Sequence, residues 1–332
     1  MNPRKRTTTS ERLLEILKER SKKGLEFARK VILAERIESK KTREALEYYT
    51  SNWKIFIHPG LFSIACEAVG GNLDNTVSIQ ACLSMLAAAF DIHDDVIDNS
   101  RIKQGRPTIF GKFGKDMAIL LGDAFLIRGF TLFSESNKEM PQERIEDVIE
   151  TLEKALFELG NAHALELNLK GRIDITPEEY MQILRMKAAS ATADMQIGGI
   201  VGGGSDNEVE ALTTYGRNIG ILTTLREEFV DTYELEEFHQ RIKNEYLPIP
   251  VLCAFQNTTA KKKIQNILSQ KRLTRKHLEE ITRIAFQTED IKKLRSYMKK
   301  LKNEAVSDII SLRESPAKLI LRRLANAMLE DL

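Results

Sequence analysis

Asp91, Asp94, Asp95 and Asp98 close a segment that runs almost wholly apolar from Ile79 to Phe90. Spacings of three, four and seven put such carboxylates along one stripe of a helix. Like charges there disfavour the helix by roughly 0.2–0.5 kcal/mol per exposed pair, and by more inside a cavity unless a cation neutralises them. Oxygen-only ligands suit Mg²⁺, which keeps several waters and bridges carboxylates to substrate phosphates. For one Asp-Asp-x-x-Asp taken alone, a solvated acidic face is the plainer account. Its position at the end of an all-round apolar, hence buried, helix tilts the reading toward metal.

A second cluster, Glu227, Glu228 and Asp231, repeats the i, i+1, i+4 pattern behind the apolar Ile219-Gly220-Ile221-Leu222. Two clusters on separate helices, facing one another across a cavity, would hold several Mg²⁺ around one diphosphate. The pair is far more specific than either cluster. Other site types fit poorly. Glu236-x-x-His239 has di-iron spacing but lacks the second Glu-x-x-His that such a site needs. No Gly-x-Ser-x-Gly elbow is present. Cys66, Cys82 and Cys253 are too scattered for a zinc site or a disulfide framework, so a reducing cytoplasm is expected.

The elements that must carry these clusters read as helices. Apolar residues recur at three- and four-residue spacing, and no stretch alternates as a half-buried strand would. The pattern predicts helices over 8–35, 60–70, 75–98, 115–135, 141–170, 176–199 and 207–245, with shorter ones from 259 to 330. His58-Pro59-Gly60 reads as a break, Thr176-Pro177-Glu178-Glu179 as a helix start, and Gly202-Gly203-Gly204-Ser205 as a joint. The glycine run is neither a dinucleotide fingerprint nor a phosphate loop. With no repeat or linker, the chain is expected to be one all-α domain over 1–332, a large helical bundle whose segment 257–332 forms a C-terminal helical cap.

Composition sets the class. Of 332 residues, 42% are hydrophobic and 30% charged, an ordinary soluble balance with ample core material. A net charge of +2 gives no reason to expect a nucleic-acid partner. Met1–Arg20 is basic and lacks the apolar core of a signal peptide, and no uninterrupted apolar run approaches the ~18 residues of a membrane span. The expectation is a cytoplasmic protein that is not transmembrane.

From about residue 45 to 255 the chain resembles the trans-isoprenyl diphosphate synthases, the polyprenyl synthetase family. Asp94, Asp95 and Asp98 match the first aspartate-rich motif, Gly105-Arg106-Pro107-Thr108 the Gly-x-Pro-Thr after it, and Leu120-Leu121-Gly122-Asp123 the Gly-Asp landmark. Lys187 matches the diphosphate-binding lysine, with Ala188 where Thr is usual, and Tyr215–Gly220 the Tyr-Gly-x-x-x-Gly. Glu227-Glu228-Phe229-Val230-Asp231 is the second motif with glutamates in place of aspartates.

The resemblance implies an isoprenoid synthase fold around a deep cavity, with two to three Mg²⁺ held by Asp94, Asp95, Asp98, Glu227, Glu228 and Asp231. Asp94, Asp98 and Lys187 would carry catalysis; Lys103, Arg106, Lys187, Arg226 and Lys243 would bind diphosphate. The substrate is an allylic diphosphate and the candidate acceptor isopentenyl diphosphate, in a homodimeric enzyme. Phe90, one turn deeper than Asp94, with Ala89 and Leu86 beside it, would floor the pocket and limit the prenyl tail to short or medium length. Plain core is the alternative for Phe90.

Departures gather at the acceptor site. The basic segment that binds isopentenyl diphosphate reads Trp53-Lys54-Ile55-Phe56-Ile57-His58-Pro59, with Ile55 for its lysine, unless Lys54 serves, and His58 for its last arginine. The helix histidine is Ala87, and the arginine pair is Lys103-Gln104. Three readings follow: a prenyltransferase with a remodelled acceptor pocket; a cyclase, diphosphate lyase or transferase to another acceptor; and a non-catalytic partner subunit.

Overall fold

The computed structural model describes residues 9–103, 105–136, 140–172 and 174–330. Met1–Thr8 and Gln104, both weighed above, lie outside them. The fold is all-α apart from one two-residue hairpin, as the apolar spacing predicts. In chain order the elements are α1 (Thr9–Ala34), α2 (Lys40–Ser51), α3 (Ile57–Ala68), α4 (Val77–Ile97), β1 (Ile102–Lys103), β2 (Arg106–Pro107), α5 (Ile109–Phe113) and α6 (Lys115–Ser136). Then come α7 (Gln142–Leu167), α8 (Pro177–Lys187), α9 (Ala189–Val201), α10 (Asp206–Tyr233), α11 (Leu235–Asn244) and α12 (Ile249–Ala254). The last four are α13 (Thr258–Leu268), α14 (Arg275–Phe286), α15 (Glu289–Asp308) and α16 (Pro316–Ala327).

Four segments depart from the sequence pattern. Helix α2 is too polar to show an apolar stripe; the Ser39 hydroxyl accepts from Thr42 N and starts it. His58-Pro59-Gly60 does not interrupt helix but forms the first turn of α3, where a proline's missing N–H has no intrahelical partner to lose. The segment 176–199 is two helices that part at Ala188, and 207–245 parts at Glu234. The start at Thr176, whose hydroxyl caps Glu179 N, and the glycine joint before α10 match expectation.

The described residues form two compact units, the first within 9–151, Asp194–Glu210 and Leu312–Ile320, the second within Leu152–Ala193, Ala211–Ser311 and 321–330. In the first, α4 packs on α1 and α6 through Ala28, Ile32, Met85, Ala89, Ile92, Leu121 and Phe125. Gly122 explains the Gly-Asp landmark. A Cβ there would lie 2.2 Å from His93 Nε2, and the same imidazole nitrogen sits 3.3 Å from Asp123 Oδ1. Leu73–Ile97 and Lys115–Ser136 are long and apolar enough to cross a membrane by length and composition; the first is 67% buried within the protein, as a core helix is. Helix α6 leaves Leu120, Ile127 and Phe130 exposed.

In the second unit, α10 crosses the end of α8 with no room to spare. A Cβ on Gly220 would fall 2.8–3.0 Å from Ala188 Cβ, Cα and O. Alanine normally gains roughly 1 kcal/mol over glycine in a helix, but the obstacle here is backbone and cannot yield. Gly220→Ala is therefore expected to lose about 1–3 kcal/mol, read as a lowered urea midpoint.

Candidate active site

In the first unit, Asp91, Asp94 and Asp98 share an incompletely buried face of α4 with Ala87 and Phe90, while Asp95 points inward and is 4% exposed. Leu86 and Ala89 are buried, Ala89 within the core cluster, so Phe90 and Ala87 are the apolar residues of that turn left on the open face. The β1–β2 hairpin brings Lys103 against the acids, with Nζ 2.7 Å from Asp95 Oδ1, 3.2 Å from Asp91 Oδ1 and 3.9 Å from Asp94 Oδ2. Helix α2, absent from the sequence reading, holds the hairpin. Tyr48 OH donates to Pro107 O at 2.7 Å, and the Arg106 guanidinium donates to Asn52 Oδ1. Tyr49 OH donates to Asp91 Oδ2 at 3.2 Å.

Burial pushes the Asp95 carboxyl up to about 7; Lys103 opposes this while Asp91 and Asp94 add to it. Burial alone would lower Lys103, yet the carboxylates outweigh it and hold the ammonium above its usual range. Beside this cluster a pocket of about 230 Å³ is walled by Tyr48, Tyr49, Trp53 and Ile55 and reaches Asp91 and Asp95. Exposed Lys54 lines it too.

In the second unit the middle acid is again the committed one. Glu228 Oε1 accepts from Tyr180 OH at 2.8 Å and from the Arg241 guanidinium at 2.6 Å, and Oε2 accepts from Ile249 N at 2.9 Å. Arg241 also reaches Asp231 Oδ2 at 3.1 Å and Glu245 Oε2 at 3.3 Å. Desolvation and then the Asp231 charge push Glu227 up to about 7, although its side chain is open to solvent. That exposure brings screening, so sealed Asp95 is the stronger case. Burial pushes Asp231 to about 6 against the pull of Arg241.

Lys187, at the end of α8, sits 2.5 Å from Glu166 Oε1, and its charge acts on Glu227. Tyr246 OH donates to the same Glu166 oxygen, and its ring meets Tyr180 edge-on at 5.0 Å. The chain thus ties Lys187 to the second cluster through Glu166, Tyr246 and Tyr180. Sequence reasoning missed all three, since nothing in their local pattern marks them.

Two expected diphosphate ligands are placed elsewhere. The Arg226 guanidinium donates to Met328 O at 3.1 Å and Glu330 O at 2.7 Å, anchoring the end of the chain. Lys243 is exposed two residues after Arg241, on roughly the opposite side of α11.

Among the described residues no three His, Cys, Asp or Glu side chains form a group that would hold a metal by themselves. The donors nevertheless fit Mg²⁺. They are all oxygen, come in helical i, i+4 pairs, and carry raised carboxyls that a divalent cation would relieve.

A polyprenyl synthetase model matches residues 39–285. The chain is 33% identical over 183 residues to a short chain isoprenyl diphosphate synthase of Methanothermobacter thermautotrophicus, covering 54% of this chain and 55% of that one. It is 28% identical over 166 residues to a geranylgeranyl diphosphate synthase of Sulfolobus acidocaldarius, half of each chain. The chain therefore spans about half the length of the curated relatives it matches. The crystal structure of a geranylgeranyl pyrophosphate synthetase from Pyrococcus horikoshii shares the fold, with TM-score 0.86 over 97% of this chain and 99% of that one at 24% identity.

Proposed function

The chain belongs to the polyprenyl synthetase family, and from that premise we propose that it is a Mg²⁺-dependent prenyltransferase of short- or medium-chain type that ionises an allylic diphosphate. One observation supports this above the rest. In each acidic cluster the middle carboxylate is buried against protein cations, Asp95 on Lys103 and Glu228 on Arg241, while the outer pair, Asp94 with Asp98 or Glu227 with Asp231, is less deeply buried. The outer pairs are the proposed metal ligands; the middle acids orient the cations beside them.

Bound Mg²⁺ would supply charge neutralisation for the departing diphosphate. In the first unit Arg106 and Lys103 are the groups that would bind diphosphate oxygens, Lys103 being held meanwhile by Asp91 and Asp95; in the second unit Lys187, held by Glu166, is the group that would do so. Phe90 limits the prenyl tail. Ala87, Ile55 and His58 remove basic groups from the acceptor side, which favours a second reading in which the cation is quenched by elimination or by another acceptor. A silent subunit would have no need of two carboxylate pairs and Lys187.

Purified protein with Mg²⁺ and labelled C5, C10, C15 or C20 allylic diphosphates, with and without isopentenyl diphosphate, tests the proposal. Chain growth supports transfer; diphosphate release without isopentenyl diphosphate supports the second reading. Inertness in both arms sinks both enzyme readings. The exposed Leu120, Ile127 and Phe130 of α6 support pairing of two copies. Ile127→Asp is expected to convert dimers to monomers in analytical ultracentrifugation.

A further inference from the structure

We propose that α13 and the turn joining it to α14 form a docking surface for an anionic lipid membrane. Thr258–Leu278 holds seven Lys or Arg and no Asp or Glu, in a chain whose net charge is only +2. Two of the seven are occupied: Lys261 lies over the Phe255 ring at 5.7 Å from its centroid, and Arg275 pairs with Glu279 at 3.0 Å. The other five, Lys262, Lys263, Lys271, Arg272 and Lys276, are exposed and meet no acid among the described residues.

The neighbouring helices are charged in a different way. On α15, Lys292 pairs with Glu289 at 2.5 Å, Lys293 with Asp290 at 2.9 Å and Lys300 with Glu304 at 3.6 Å. On α14, Arg283 pairs with Glu280 at 2.7 Å. Such i, i+3 and i, i+4 pairs make an ordinary solvated helix face. The surface of α13 lacks them. Its exposed stripe runs Lys262, Lys263, Asn266, Ser269 and Gln270, opposite buried Ala260 and Ile264, and ends on Lys271 and Arg272.

The turn is built to hold that charge in place. Ser269 N donates to Gln265 O at 3.0 Å and closes α13. The Thr274 hydroxyl accepts from His277 N at 3.4 Å, and His277 Nδ1 accepts from Thr274 N at 3.3 Å, a capping box that opens α14. Ile267, Leu268 and Leu273 flank the basic tip and are each only partly buried. Apolar side chains that can enter the acyl boundary, beside clustered cations that meet the headgroups, are what an interfacial segment offers a bilayer. Nucleic acid fits less well. Thr258–Leu278 contains no Phe, Tyr or Trp on which a base could stack, and its Lys outnumber its Arg five to two. Docking there would also release a prenyl diphosphate, the product of the reaction proposed above, beside the bilayer that takes up its tail. The surface itself does not depend on that reaction.

Co-sedimentation of the whole chain with vesicles, without substrate or turnover, tests this. Vesicles of phosphatidylcholine and phosphatidylglycerol in equal parts should bind at least tenfold more tightly than phosphatidylcholine alone. Binding should weaken as NaCl rises from about 0.1 to about 0.5 M. Lys271→Glu/Arg272→Glu is expected to cut the affinity at least tenfold, since each cation near an anionic surface is worth about fivefold. Lys292→Glu/Lys293→Glu makes the same charge change on α15 and should stay within threefold of the wild type. Equal Tm for both variants shows that the fold is kept. Equal binding to the two kinds of vesicle, an unaffected turn variant, or an equal loss in the α15 variant overturns the proposal. So does an RNA duplex that binds more tightly than the mixed vesicles, which would make the surface one for nucleic acid.

Discussion

Replacing Asp94 or Asp98 with alanine is expected to cut turnover of an allylic diphosphate at least about a hundredfold, the scale on which loss of one charge-stabilising contact in a transition state acts. Neither residue is sealed in the core, and the α4 end is closed by a backbone bond from Asp98 N to Asp94 O, which alanine keeps. Helical circular dichroism should therefore be unchanged. Retention of more than a tenth of the activity in both variants would remove the metal role from this pair.

The two acidic clusters predict a pH signature that needs no substrate. Asp95 and Glu227 are raised to about 7, and Asp231 to about 6, above ordinary carboxyls near 4. Between those limits the folded chain binds more protons than the unfolded one, so stability falls as pH rises from about 4 to 7. A cation offsets the charge that causes the fall. Mg²⁺ with inorganic diphosphate should thus raise Tm at pH 8 and do little at pH 5, and Asp94→Ala should blunt the gain. A Tm gain equal at both pH values would count against a carboxylate-held metal.

How much of this was legible in the sequence depended on range. The abrupt turn of α4 from apolar to acidic is local, and so are the hydroxyl and proline that start α8 and the glycines before α10; each element lies where its pattern puts it. Helix α2 was not legible, because its polar surface hides the Ala45 and Leu46 it buries and its function is to hold the hairpin by Tyr48 and Asn52. The break at Ala188 was not legible either, since it answers to Gly220, 32 residues on. The same limit hid the functional partners. Six acids could be named from spacing, yet that Asp95 and Glu228 are the committed members appears only once Lys103 and Arg241 are placed. Arg226 sits one residue before the second cluster and reads as a diphosphate ligand, but carbonyls about a hundred residues later take its protons. His58 reads as a lost arginine; only the fold pairs it with Asp194.

Arg241→Met is expected to destabilise the protein by about 3–5 kcal/mol, more than any other single change considered, because it strips a buried network of its cation. The guanidinium is 5% exposed and is shared by Glu228, Asp231 and Glu245, with Tyr180 OH accepting at 3.2 Å. Methionine keeps the volume and the apolar stem, so the cost isolates charge and hydrogen bonding from packing. Glu228 would be left sealed with only Tyr180 OH and Ile249 N as donors. Two hydrogen bonds from uncharged donors, worth about 1.5–3 kcal/mol each to a carboxylate, do not replace a guanidinium in offsetting the desolvation of a full negative charge. Removing both charges tests this account directly. In Arg241→Met/Glu228→Gln nothing buried is left unpaired in that way, so the double variant should recover a substantial part of the loss, as coupled neighbours do in a mutant cycle. Urea midpoints at constant slope are the measurement. A single variant that loses less than 1 kcal/mol, or a double variant no more stable than the single, would show that Arg241 is not what allows α10 to carry Glu228 inside while Glu227 and Asp231 stand toward the site.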